Sequence, residues 1–281
     1  HSKSQPNSNL SNYFFREEYI LNLSIANFSK PWISLLNGIA MGGGLGLSVH
    51  GKFRIVNNNT ITAMPETAIG LFPDVGGGYF LSRMGPLGLY LALTGRVMNG
   101  LDSMYAGIGT HFIENNSIEL VYEKIINKSN YNNEFIDSLL NENSKDLKVK
   151  ESILSNEMHN INKHFSKNTL SEIFVSLEGD NSAWASNTLE VLSKKSPTSM
   201  SVAFKQLSLA KNLNLKECLI MEFRICQAMM EKHDFYEGVR ANLVDKDRNP
   251  KWAPESINGV TEKIVNEHFQ SLGKRELFNN E

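Results

Sequence analysis

Pro65-Glu66-Thr67-Ala68-Ile69-Gly70-Leu71-Phe72-Pro73-Asp74-Val75-Gly76-Gly77-Gly78 sets two carboxylates, eight residues apart, into an otherwise apolar, glycine-bearing run. A segment this apolar belongs in a core or a cleft. Carboxylates are almost never fully buried there without a partner or a task. Some twenty residues upstream stands a second dense feature, Met41-Gly42-Gly43-Gly44-Leu45-Gly46-Leu47. The two stretches together suggest a site that pairs acids with backbone N–H donors.

Around them the chain alternates short strands, short helices and glycine turns. Residues 13–28 read as a helix with Phe14, Phe15, Tyr19, Leu23 and Ile25 on an apolar side. Residues 32–40 read as one buried strand, 53–56 as a short alternating strand and 60–64 as another. This predicts an α/β core of repeated strand–strand–helix units, continued through 85–114. Beyond residue 115 glycine nearly disappears and the pattern turns helical. The expected organisation is a core over 1–115, a polar peripheral helical segment over 116–168 and a helical region over 169–281.

With 281 residues and a net charge of −2, the chain suits one large domain or two small ones. The near-neutral charge argues against a nucleic-acid binder, and no apolar run is long enough to span a membrane. Cys218 and Cys226 have neither metal nor disulfide spacing and read as free thiols. His50, His111, His159, His164, His233 and His268 show no metal-ligand pattern. The asparagine run 57–59 reads as surface-loop composition.

The glycine cluster fits neither a dinucleotide fingerprint, nor a phosphate loop, nor a nucleophile elbow. Two readings remain. It is a tight strand–helix turn, or it presents N–H groups at a positive helix end to an oxyanion. Glu66 and Asp74 are open in the same way. They are a helix cap and an Asx turn, or two acids whose surroundings split them into base and acid. Glu18, in Arg16-Glu17-Glu18-Tyr19, reads by itself as a solvated helix charge.

Met41 to Gly51, then Met64 to Phe80, together resemble the crotonase (enoyl-CoA hydratase/isomerase) superfamily, specifically its 3-hydroxyisobutyryl-CoA hydrolase branch. Further matches are Phe14 to Tyr19, Leu93-Thr94-Gly95, Ala106 to Phe112, Asp234 to Ala241 and Asp245 to Trp252. The resemblance covers nearly the whole chain and is weakest over 115–168. It implies a crotonase-type ββα spiral core with a C-terminal helical region. It also implies hydrolysis of 3-hydroxyisobutyryl-CoA to CoA and 3-hydroxyisobutyrate in valine breakdown, with 3-hydroxypropanoyl-CoA a second substrate.

By the same resemblance Glu66 is the catalytic carboxylate, attacking the thioester or activating water. Asp74 is the second catalytic acid, near the 3-hydroxyl end of the acyl group. Gly43 donates to the thioester oxygen, and Glu18 contacts substrate. No metal or redox cofactor is implied, CoA being part of the substrate. The expected partner is a small-molecule acyl-CoA, with no nucleic acid, no membrane and a homo-oligomer in prospect; the expected place is the mitochondrion.

Family members carry a further N-terminal stretch with the first core strands and an Ala-Gly-Gly-Asp-type loop that donates the other oxyanion N–H. Residues 1–12 hold no such loop. The expectation is therefore an N-terminally incomplete spiral with half an oxyanion hole and an unpaired sheet edge, poorly soluble or inactive as 281 residues alone. Two other readings stay open: a non-catalytic hydrolase-like subunit of the mitochondrial ribosome, and another crotonase such as an enoyl-CoA hydratase. Retention of Glu66, Asp74 and Glu18 argues against the first. Phe72-Pro73-Asp74 and the long C-terminal region argue against the second.

Overall fold

The computed structural model describes residues 10–128, 131–145 and 147–279. These form two compact units, each assembled from separate stretches of chain. The first gathers the described residues up to Leu21, Met64–Arg96 and the chain from Asn160 onward. The second gathers Asn22–Ala63 and Val97–His159.

The second unit holds all the strands found among the described residues. They are β1 (Ile33–Leu36), β2 (Ile39–Met41), β3 (Phe53–Val56), β4 (Ile61–Ala63), β5 (Met98–Asn99) and β6 (His111–Phe112). One sheet runs β1-β3-β6, all parallel, and the other β2-β4-β5, with β5 antiparallel. Each pass of the chain thus lays one strand in each sheet. Ile33 pairs with Phe53 in one and Ile39 with Ile61 in the other. Central β3 is covered, with Phe53, Ile55 and Val56 buried, as a parallel sheet requires. Phe53 and Ile55 pack with Ile113, Val121, Ile136, Leu139 and Leu140.

The apolar run 32–40 is two strands rather than one. Asn37-Gly38 breaks it, with Gly38 at φ 124°, a region open to glycine. The next pass turns at Asn57–Thr60, and asparagines join the two corners. Asn57 Nδ2 and Asn59 Nδ2 both donate to Asn37 Oδ1, at 3.0 and 3.1 Å. Asn57 is fully buried. The run is a surface turn at Asn58 and Asn59, as expected, but Asn57 is a buried structural corner.

The first unit is helical. Its main helices are Pro86–Thr94, Pro197–Ala210 and Leu215–Met230. The last begins with a capping box, in which Asn214 and Glu217 satisfy each other's backbone amides. Its apolar stripe, Cys218, Ile225, Cys226 and Met229, packs against Leu71, Phe72 and Val202. Full burial of Phe72 alone favours folding by about 1.5–3 kcal/mol. The acid-bearing segment is so anchored by its own apolar residues. Among the described residues no helix is long and apolar enough to cross a membrane.

Candidate active site

Glu66 opens a short 3₁₀ turn, Glu66–Ile69, directly after Pro65. The turn is stopped by Gly70 in the left-handed region at φ 71°, where the backbone of Asp234 comes so close that no Cβ fits. It is also tied from outside. Ser196 N donates to Thr67 O at 3.0 Å, and Asn242 Nδ2 to Ala68 O at 2.8 Å. The Ser196 hydroxyl donates to Asp234 Oδ2 at 2.6 Å, and Asp234 Oδ1 accepts from Ala253 N at 2.9 Å.

Glu66 is 4% exposed and Asp74 5%. Among the described residues Glu66 Oε2 is buried with no hydrogen-bond donor on it. Burial, then the nearby Asp74 charge, push the Glu66 carboxyl well above the usual range; half-buried Lys195 pulls the other way. Asp74 Oδ2 accepts from the hydroxyl of fully buried Tyr19 at 2.9 Å. Burial, then the charge of Glu18, raise the Asp74 carboxyl to about 7, against that hydrogen bond. Two neighbouring buried acids do not ionise together as readily as either would alone, so the pair tends to keep one proton. The arrangement can therefore keep one carboxyl protonated as a donor while the other acts as nucleophile or base.

Past Asp74 the chain makes a strained turn. Val75 has φ 51° and Gly76 φ 82°. A β-branched residue in that region costs on the order of 1–3 kcal/mol. Gly77 N closes the turn on Asp74 O at 2.7 Å, and the helix Gly77–Ser82 follows. A third buried acid, Glu222 of the helix Leu215–Met230, accepts from Gly76 N at 2.7 Å and Gly78 N at 2.8 Å. Burial pushes its carboxyl up to about 8, opposed by those two amides.

Of the residues singled out from sequence, the structure brings together Glu66, Asp74 and Glu18 in the first unit, where Glu18 is half-buried with its carboxyl raised by burial. Gly43 belongs to the second unit and is described there. β2 ends at Met41, Gly42 turns at φ 51°, and Gly43 is the first residue of the helix Gly43–Gly46. First-turn amides of a helix have no acceptor within it, and Gly42 has no side chain to cap them.

Tyr19, Lys195 and Glu222 were not evident from sequence reasoning. Tyr19 sits next to a chosen residue on the helix Leu10–Ala26, but its apolar body reads as core. Glu222 did leave a signal. It is the one carboxylate on a stripe otherwise made by Cys218, Leu219, Ile225, Cys226 and Met229. Among the described residues no acid–histidine–cysteine cluster could hold a metal ion.

The chain matches the family model described as Enoyl-CoA hydratase/isomerase over residues 1–269. It is 48% identical over 268 residues to a relative from Xenopus laevis named "3-hydroxyisobutyryl-CoA hydrolase, mitochondrial", covering 94% of this chain and 70% of that one. The Homo sapiens protein of the same name is 47% identical over 268 residues, covering 94% and 69%. A solved carnitinyl-CoA dehydratase from Mycobacterium thermoresistibile superposes with a TM-score of 0.87 at 33% identity, covering 95% of this chain and 76% of that one. An enoyl-CoA hydratase from Rhodobacter sphaeroides 2.4.1 gives a TM-score of 0.82 at 33% identity, with the same two coverages.

Proposed function

Because this chain belongs to the enoyl-CoA hydratase/isomerase family, we propose that it hydrolyses 3-hydroxyisobutyryl-CoA to CoA and 3-hydroxyisobutyrate, the substrate in its relatives' names. The observation that carries this reading is Glu66, a buried carboxyl with one oxygen unengaged, under the influence of the Asp74 charge and held on a clamped turn. Hydrolysis of a thioester needs a nucleophile or base and a proton donor. Glu66 and Asp74 are of the right type and share a water-poor surrounding in which their roles separate.

In this reading the Glu66 carboxylate attacks the thioester carbonyl. The C–S bond breaks, CoA leaves as its thiol after taking up a proton, and water then hydrolyses the mixed anhydride. The same residue acting as base on water gives the same products. Asp74 faces the 3-hydroxyl end of the acyl group, and Glu18 contacts the substrate. The Gly43 N–H donates to the thioester oxygen as it becomes anionic. A carboxylate route of this kind calls for no metal or redox cofactor, CoA arriving with the substrate. 3-Hydroxypropanoyl-CoA, one methyl smaller, is a second substrate. The relatives' names support a mitochondrial place; the reaction belongs to valine breakdown, and a homo-oligomer is the assembly in prospect.

Hydratase and dehydratase names on folds 33% identical make hydration of an enoyl thioester the competing reading, while the hydrolase relatives stand at 47–48%. Offering the protein 3-hydroxyisobutyryl-CoA and an enoyl-CoA in parallel, and following free thiol, separates them. Thiol release from the first is the expected result. Water addition to the second without thiol release would overturn the hydrolase reading, and no reaction with either would return the chain to a non-catalytic role.

A further inference from the structure

Glu222 takes no part in the hydrolysis set out above, yet it is fully buried beside the acids that do. Its place on the helix Leu215–Met230 lies between Cys218 and Leu219 on one side and Ile225 and Cys226 on the other, all fully buried. A carboxyl in such a stripe is costly unless hydrogen bonds offset its lost hydration. Here donors meet both carboxylate oxygens. Oε2 accepts from Gly76 N at 2.7 Å, and Oε1 from Gly78 N at 2.8 Å and from Gln206 Nε2 at 3.1 Å. The same Gln206 amide donates to Pro73 O at 2.8 Å.

The bonds therefore grip residues 73, 76 and 78, on both sides of Asp74 and Val75. Between the grips lies the strained Val75, with Asp74 O closing on Gly77 N. The fit leaves no spare room. A Cβ at Gly78 would lie 2.9 Å from Gln206 Nε2 and 3.0 Å from Glu222 Oε1. A turn that needs a β-branched residue at positive φ persists only when its surroundings over-determine it.

We propose that Glu222 is the positioning residue for Asp74: by binding the Gly76 and Gly78 amides and, through Gln206, the Pro73 carbonyl, it holds the Val75 turn that sets the Asp74 carboxyl on the Tyr19 hydroxyl. Glu222 touches no reacting atom; it acts through Asp74. The catalytic part of this inference rests on the hydrolase reading above.

The test is Glu222→Gln in the full chain, which keeps size and shape but turns one acceptor into an NH₂ group facing backbone N–H donors. Loss of positioning lowers kcat for 3-hydroxyisobutyryl-CoA by roughly 10- to 100-fold, with KM within about twofold of wild type. A purely structural role instead leaves kcat per folded molecule unchanged while Tm falls, and that result overturns the proposal. So does a change confined to KM. Hydrogen exchange decides the clamp independently of catalysis. The Gly76 and Gly78 amides are slow in wild type and fast in Glu222→Gln, with the remaining helices unchanged. Fast exchange at both amides in wild type overturns the clamp even if the variant does not fold. Absence of thiol release by wild type itself counts against the hydrolase reading, and leaves the clamp to be judged by exchange.

Discussion

Two turns in this molecule each set a glycine of positive φ before a short helix and use it oppositely. At Met41–Gly46 a strand ends, a glycine turns at φ 51° and a short helix starts at Gly43. At Asp74–Ser82 a loop ends, Gly76 turns at φ 82° and a short helix starts at Gly77. In the second turn a side chain of the protein occupies the exposed amides, Glu222 taking those of Gly76 and Gly78. In the first, the capping position is a glycine with nothing to offer. Amides already bonded to the protein hold a structure; amides left at a helix start are available to a ligand oxygen. The first turn is thus without a side-chain cap, as the oxyanion role proposed for Gly43 requires, and the second is held by a side chain that supports Asp74.

The sharpest way to break this division is Glu66→Gln. It is expected to lower kcat by roughly 10³-fold or more while binding of the thioester survives, as measured by thiol release and by titration with a non-hydrolysable CoA analogue. Activity within a tenth of wild type would remove Glu66 from the chemistry. Next comes Gly43→Pro. Proline is tolerated at a helix's first position and deletes the N–H, so kcat should fall on the order of 10²- to 10³-fold with the fold intact by circular dichroism. A fully active variant would make the first turn a packing device like the second.

Tyr19→Phe should cost roughly tenfold in kcat. Its pH profile matters more. The Tyr19 hydroxyl holds the Asp74 carboxyl down from the position burial gives it, so its removal moves the limb assigned to Asp74, near pH 7 in wild type, to higher pH. A limb that stays in place would uncouple the two residues.

The smallest effect is on stability. The Asp74 carboxyl is raised from 3.8 to about 7 in the folded protein. The folded state then holds a proton that the unfolded state has released. The associated stability is present below about pH 4 and is lost as pH rises towards 7. Asp74→Asn, which cannot ionise, should flatten this slope and raise stability at pH 8 by on the order of 1–3 kcal/mol, read as Tm against pH. An unchanged slope would show that Asp74 does not carry it.

The same contrast explains what was legible in the sequence. Two acids in an apolar run are conspicuous because burying charge is rare, and Glu66 and Asp74 are indeed buried. The strand–strand–helix alternation was legible from short apolar runs between glycine turns. The split of 32–40 into β1 and β2 was missed because Asn37 and Gly38 interrupt only two positions of an apolar run. The partners supplied from far along the chain were harder. Tyr19 lies 55 residues from Asp74 and Glu222 lies 146 from Gly76. Such pairs are made by packing of distant segments, which local periodicity does not encode, and the assembly of each unit from separate stretches of chain is of the same kind.

The helix that supplies Glu222 also buries the chain's two cysteines. Burial pushes the Cys218 thiol up to about 12, and the Cys226 thiol well above its usual value. The thiolate is the reactive form, so in the native protein both sulfurs are silent towards disulfide reagents. A colorimetric thiol reagent added during turnover therefore reports liberated CoA against a flat protein background, and a slow rise in signal without substrate becomes a direct reading of unfolding.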